Sequence, residues 1–286
     1  MTSMPPNFSM PPAAPVTRGM ARNRRSAWAI HGRLRSRNFL ALAVLGFVVP
    51  FVAWALLSTI GVVDPVFLPT PLAVLTRCRD WLLEDGLLGD IGISTARVFL
   101  GFGASAVLAL PLGVLIGTYA PVRALLEPLT DFSRYLPAVA FIPLIMLWVG
   151  IDESAKVSVI FVGTFFQMVL MVAEDIAKVP SAQIEAAQTM GATPGEVVQH
   201  VLLRSARPAI LGTLRITMGW AWTYLVVAEL VAANSGLGFA ILKAQRFLQT
   251  DKIFAGILLI GLIGLLTDQA FRWLHRACFP WHNPGH

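Results

Sequence analysis

Charge is scarce in this sequence. Only 13% of its 286 residues are Asp, Glu, Lys or Arg, and 56% are hydrophobic. An ordinary soluble domain carries about 25% charged and about 45–50% apolar residues, so both departures point to a bilayer. Cysteine is nearly absent. Cys78 and Cys278 are the only two, and neither has metal-binding or redox spacing. No Walker P-loop is present, which excludes ATP binding by that route, and there is no His-Glu-x-x-His. The five His residues are scattered, so no metal set is expected. Gly236-x-Gly238 lacks the strand and third glycine of a nucleotide fingerprint and reads as a turn where a loop re-enters the membrane. Acid is missing from the N-terminal arginine run of Arg18, Arg22, Arg24, Arg25, Arg33, Arg35 and Arg37. With a hydrophobic segment directly behind it, this run reads as the cytoplasmic flank of a membrane span rather than as a nucleic-acid surface.

What is present is a series of long apolar stretches. About 20 apolar residues cross the hydrocarbon core as a helix, and six such stretches are expected, at about 39–60, 95–118, 135–150, 154–173, 208–232 and 253–274. The fold class is therefore an all-α polytopic membrane protein. Residues 1–37, rich in Pro, Ser and Arg, are expected to be a disordered tail, and 277–286 a short second tail. Six spans place both termini on one side, and the arginines make that side cytoplasmic, although Lys243, Arg246 and Lys252 run against the charge rule. Between the first two spans, Leu72, Leu75, Arg79 and Leu82 fit a short amphipathic helix in the outer interface, with Trp81 at headgroup level. Gly113 and Gly117 are spaced for close helix approach. Residues 119–134 are expected to be a turn.

Candidate pathway residues come from polar or helix-breaking groups inside spans. Pro137 and Pro143 free backbone carbonyls and mark either a broken helix beside a pathway or a packed kink. Trp148 and Gln167 are further candidates. Arg215, Glu229 and Asp268 are charges within spans, each costing roughly 2.5–3.5 kcal/mol at mid-bilayer, and serve either a substrate path or structural pairing and end-anchoring. Arg97 and Arg134 suit an anion, or packing alone.

The most patterned polar stretch is Glu185-Ala-Ala-Gln-Thr-Met-Gly-Ala192. A helix is expected from about Ser181 to Met190, closed by Gly191 in the left-handed conformation. Thr193-Pro-Gly-Glu196 reads as a capping box opening a second helix. Between two spans, this helix–turn–helix looks like a plug for another protein.

These residues resemble a known family. Glu185-Ala-Ala-x-x-x-Gly191-Ala192 is similar to the EAA loop of ATP-binding cassette importer permeases. Ser94-x-x-Arg97, Leu110-Pro-Leu-Gly-Val-Leu-Ile-Gly117, Phe141-Ile-Pro-Leu-Ile-Met-Leu-Trp-Val-Gly150, Ser235-Gly-Leu-Gly238 and Phe279-Pro-Trp281-His282 resemble the nitrate/taurine/aliphatic-sulfonate branch. Arg204 stands where the family favours Pro, whereas Pro208 fits. The resemblance implies a type I importer permease fold with a cytoplasmic EAA coupling segment at 181–203. It also implies a second permease copy as homodimer partner, two cytoplasmic ATPase subunits binding ATP and Mg, and a periplasmic or lipid-anchored substrate-binding protein. The chain itself would hold no cofactor, catalyse nothing and bind lipid but no nucleic acid. ATPase docking would rest on Glu185, Ala186, Ala187, Met190, Gly191 and Ala192. A small anionic solute at the bacterial inner membrane is the expected cargo. The competing expectation is an ATP-independent carrier or channel, although no internal repeat supports one.

Overall fold

A computed structural model describes residues 36–61 and 63–282. All the regular elements among these residues are helical. The expected disordered tail, apart from its last two residues, lies outside them. The chain divides into two units, residues 1–53 and 54–286. The described part of the first unit belongs to α1, Ser36–Thr59, an uncharged helix beyond Arg37 that is apolar on every face.

In the second unit α2, Pro71–Leu83, starts where Thr70 accepts the Ala73 amide at 3.2 Å and Pro71 takes the first turn, a position that needs no amide donor. The helix forms where the amphipathic spacing predicts. Trp81, however, is fully buried rather than set at a headgroup boundary. Its indole donates to Asp90 at 3.2 Å, and its ring packs with Leu87, Leu237 and Ala240. The reason is α10, Leu237–Arg246, a helix in a segment expected to be an irregular loop.

The next helix, α3, runs Leu87–Thr118 and begins about two turns earlier than the hydropathy suggests. Gly86 adopts φ 72° to open it, and Asp90, the charge that seems to bar an earlier start, is accommodated by hydrogen bonds from Trp81 and the Gly236 amide. The neighbour of α3 is α6, Glu153–Ala177, packed parallel to it, since contacts advance in step from Arg97–Glu153 through Ser105–Thr164 to Gly117–Ala173. At Gly113 and Gly117 the backbones approach so closely that a Cβ on either glycine would lie 2.7 Å from a carbonyl oxygen of α6, that of Val169 or Ala173. Such contact is the usual way helices associate in lipid, where tails offer no hydrophobic gain. The core fills the space between α3, α6 and α9, Leu203–Ala232, with Val98, Ile116, Ile160, Met168, Met218 and Leu225 among its members.

Two expectations are corrected. Residues 120–135 form a helix, α4, and not a turn. The span expected at 135–150 is a short turn of 3₁₀-helix, Ala138–Phe141, followed by α5, Ile142–Val149. Together α4 and the 138–149 helix are bent by 89° and can make one broken span. The break sits at Leu136, held extended at ψ 125°, because a residue preceding proline is pushed out of the helical region. By length and composition five helices can cross a membrane, or six if this bent pair counts as one span. The last of them, α11, spans Thr250–Cys278, so helix extends into the stretch expected as a C-terminal tail, and a 3₁₀ turn follows at Pro280–His282.

Candidate functional site

One end of the second unit carries α7, Ser181–Thr189, and the three-residue α8, Pro194–Glu196. The sequence dictates both boundaries. Gly191 has φ 88°. The Gly191 amide donates to the Gln188 carbonyl at 2.9 Å and the Ala192 amide to the Ala187 carbonyl at 3.0 Å, the paired bonds of a Schellman closure. Thr193 then accepts the Glu196 amide at 3.4 Å, while Glu196 accepts the Thr193 amide at 2.8 Å. This is a complete capping box. Between the two helices the chain has almost no freedom left. Gln183 is tied to Ser205 at 2.8 Å.

Within this hairpin Glu185, Ala186, Met190 and Gly191 are exposed, Met190 at 82%, and Ala192 is half-buried. Ala187 is buried within its own chain. A further difference lies beyond. The expected second short helix and the span at 208 are continuous: α8 passes into a π-helical segment, Val197–Leu202, and that into α9. Arg204 keeps its amide donor in the first turn of α9, and Pro208 lies inside the same helix without ending it. π segments inside longer helices concentrate at functional sites.

The opposite end holds a buried polar network. Asp90, Ser94 and Arg97 follow one another at i, i+4 and i+7 along one face of α3. Arg97 grips Glu153 at the start of α6 with two bonds of 2.6 and 2.7 Å, and Glu229 of α9 at 2.6 Å. Glu229 also accepts from Ser94 at 2.7 Å and from the Gly238 amide at 2.7 Å, and Ser94 in turn receives the Leu237 amide at 2.9 Å. Arg97 is 2% exposed and Glu229 not at all. Glu229 is therefore a structural partner that joins α3, α9 and the turn before α10. Its carboxylate is fully partnered within the bundle, and Glu229 is not among the residues lining the cavity described below. The stripe of Asp90, Ser94 and Arg97 was the signal for this site in the sequence. Arg215 likewise pairs with Asp268 at 3.1 Å, joining α9 to α11.

Between the two ends lies a cavity of ≈ 260 Å³ among α4, α6 and α9. Gln167 is on its wall, with Ser133, Arg134, Thr223 and Tyr224. The wall also includes Leu136 and Ala138, on either side of Pro137 at the chain break. Neither Pro143 nor Trp148 is among the lining residues; both are exposed elsewhere on the bundle. Thus one of the five candidate pathway residues lines the cavity and a second shapes its rim. Arg134, read from the sequence as suiting an anion or packing, is also on the wall, and Thr223 is a lining residue that the sequence did not single out. Among the described residues, no group of three or more His, Cys, Asp or Glu is placed to hold a metal.

A helical membrane bundle with a rigid exposed hairpin at one end and a polar cavity within defines the membrane-embedded part of a transport machine. Comparisons with known proteins make this specific. Residues 109–279 match the family described as the binding-protein-dependent transport system inner membrane component. A probable ABC transporter permease protein of Brucella abortus is 38% identical over 85% of this chain and 96% of its own. The taurine transport system permease protein TauC of Escherichia coli is 33% identical over 85% of this chain and 90% of its own. The MetNI methionine ABC transporter in inward-facing form superposes with a TM-score of 0.58 at 24% identity, covering 69% of this chain and 96% of that one.

The chain belongs to the binding-protein-dependent transport system inner membrane component family, in the branch resembling the nitrate, taurine and sulfonate permeases. It is a permease subunit of an ATP-driven importer and a multi-pass inner membrane protein, a transport subunit and not an enzyme. In this family ATP and Mg are bound by a separate ATPase partner. An ATP-independent carrier is not favoured.

Proposed function

We propose that this permease moves a small anionic solute inward as one half of a homodimeric pathway, and that its ATPase docks on the α7–α8 hairpin. Two ATPase subunits would sit at the cytoplasmic side with that hairpin. Both termini would lie on the same side, and a substrate-binding protein would deliver solute at the α2 and α10 end. The observation that carries the reading is the hairpin itself. It is closed by a Schellman motif, opened again by a capping box, and continuous through the π segment with α9. A push on Glu185, Ala186 or Met190 reaches α9 through helical backbone and the Gln183–Ser205 bond. A flexible loop would absorb it. The solute class is supported by relatives named for taurine, aliphatic sulfonates and bicarbonate.

The test is co-purification. Glu185→Arg reverses a charge on the exposed face. Gly191→Pro forbids the positive φ, since the ring fixes φ near −65°. Both variants are expected to insert in the membrane at wild-type yield and to lose most of the bound ATPase. Retention of ATPase and of uptake by both would sink the docking assignment.

A further inference from the structure

Arg134 occupies an unusual position. It is the last basic residue of α4, immediately before the 89° break. In the folded chain it lies beside Phe166 and Gln167, near the middle of α6, and beside Thr223 and Tyr224 of α9, so a crossing of the bilayer by these helices sets its guanidinium away from both surfaces. A charge there is expensive and marks a functional position by default. The side chain is 34% exposed. Its Nε meets Asp131 at 3.2 Å, its Nη2 donates to the Tyr135 hydroxyl at 3.1 Å, and its Cζ lies 4.8 Å from the centre of the Tyr135 ring. These contacts fix the fork near the helix surface.

Arg134 stands on the wall of two cavities. In the first, described above, it is the only charged side chain among the lining residues, and hydroxyl and amide groups of Ser133, Gln167 and Thr223 accompany it. Phe141, Phe166 and Trp220 supply an apolar side to the same space. The second cavity, of ≈ 280 Å³, continues between α4 and α6 and is lined by Arg123, Glu127, Asp131 and Glu174 besides Arg134. Each carboxylate of the second cavity has a cationic partner: Glu127 with Arg123 at 3.9 Å, Asp131 with Arg134 at 3.2 Å and Glu174 with Lys178 at 3.4 Å. Arg134 and its Asp131 partner form the boundary between the two spaces.

We propose that Arg134 is the anion-binding residue of a transmembrane substrate site in the first cavity, and that Asp131 competes with the substrate for its guanidinium. This rests on the importer reading above and names the ligand chemistry of its pathway. The preferred ligand is a short organic oxyanion, such as an alkyl sulfonate. Its head takes the arginine fork in the bidentate manner that guanidinium favours. Its tail rests on Phe141, Phe166 and Trp220. The volume agrees, since it falls just below the about 300–1,000 Å³ typical of drug-sized sites. A bare inorganic anion leaves the aromatic side unused. An anion leaves the site when the bundle rearranges and Asp131, now 3.2 Å from the Arg134 Nε, reclaims that guanidinium. Binding is thereby transient, as transport requires.

The experiment uses the complete importer, permease with its ATPase, in lipid nanodiscs. Equilibrium binding of tritiated ethanesulfonate is measured, with nitrate and the uncharged dimethyl sulfone as competitors. Wild type is expected to bind ethanesulfonate, to yield it to nitrate only at higher concentration, and to ignore dimethyl sulfone. Arg134→Gln is expected to weaken binding at least tenfold, Arg134→Lys by less, and Asp131→Asn is expected to tighten it several-fold because the competing carboxylate is gone. A merely structural ion pair predicts weakening from both Arg134→Gln and Asp131→Asn. The proposal is overturned by absence of ethanesulfonate binding in wild type, by equal binding in Arg134→Gln, by unchanged or weaker binding in Asp131→Asn, or by displacement with dimethyl sulfone. Absence of ATPase from the purified wild-type assembly counts against the docking assignment alone, because the binding arms still read Arg134.

Discussion

At the scale of single residues, the buried pair Arg97–Glu229 decides more than any apolar contact. Two desolvated charges rarely stabilise a fold outright, but removal of one strands the other, at about 3–5 kcal/mol. Glu229→Gln is therefore expected to lower stability by about that amount, with Arg97 left to the partly exposed Glu153. Replacement of both, Arg97→Met with Glu229→Leu, is expected to recover much of the loss. Thermal unfolding in one detergent of wild type, Arg97→Met, Glu229→Leu and the double variant closes the cycle, and additive losses would show that the pair is not coupled. A weaker electrostatic contact lies at the surface. Lys252 bonds Asp85 at 2.7 Å, and this holds the Asp85 carboxyl below its usual range. The sign follows: the folded value is depressed, so the contribution is present above the unfolded value and is lost as pH falls through the folded one. Lys252→Met is expected to reduce the acid sensitivity of unfolding below about pH 4, visible as a flatter dependence of midpoint on pH. These pairings were only half legible in the sequence. Glu229 stood out as a charge within a span, and Arg97 as a cation suiting an anion or packing, yet 132 positions separate them. Local spacing carries no information about which distant charge closes the contact.

At the scale of elements, the close seam of α3 against α6 depends on glycine. Gly113→Val places a branched side chain where a Cβ would already lie 2.7 Å from both the Val169 carbonyl and the Val172 Cβ. Backbone on one side cannot yield, so the helices must separate. Overpacking of this kind costs about 1–3 kcal/mol, and loss of the Gly117 approach follows from the same displacement. Gly103→Val, where nothing lies within 4 Å, is the control expected to unfold near wild type, and equal melting of the two variants would count against the seam. The Gly-xxx-Gly pair was legible, as were the caps around Gly191 and Thr193, since each is specified by residues within a few positions. The missed helices failed for the same local reason. Arg123, Glu127, Asp131 and Arg134 make 119–134 look like a polar turn, yet they fall at helical spacing along α4, and Pro121 sits in its first turn, where no amide is required. Gly236 and Gly238 make α10 look like a loop, although Gly236 is only the residue before its first turn.

At the scale of the whole molecule, the two cysteines test the topology without any engineering. Cys78 lies on α2 and is half-buried, while Cys278 ends α11 and is exposed. With the hairpin and both termini cytoplasmic, α11 runs inward and Cys278 emerges with them. Cys78 then lies at the far side. In right-side-out vesicles a membrane-impermeant maleimide is expected to label Cys78 slowly and Cys278 not at all. In inside-out vesicles Cys278 is expected to react quickly and Cys78 to be spared. Cys78→Ser and Cys278→Ser assign each band. Reaction of both cysteines from one face would remove the orientation on which the docking assignment depends, whatever the hairpin's rigidity. Labelling of Cys278 from outside alone would invert the molecule and put Glu185 beyond the reach of a cytoplasmic ATPase. The expected pattern instead leaves the hairpin and Cys278 at one surface, with the Arg97–Glu229 network and the α2–α10 packing at the other. Arg134 is then between them, on the wall of the cavity among α4, α6 and α9, where its guanidinium can act on a solute in transit.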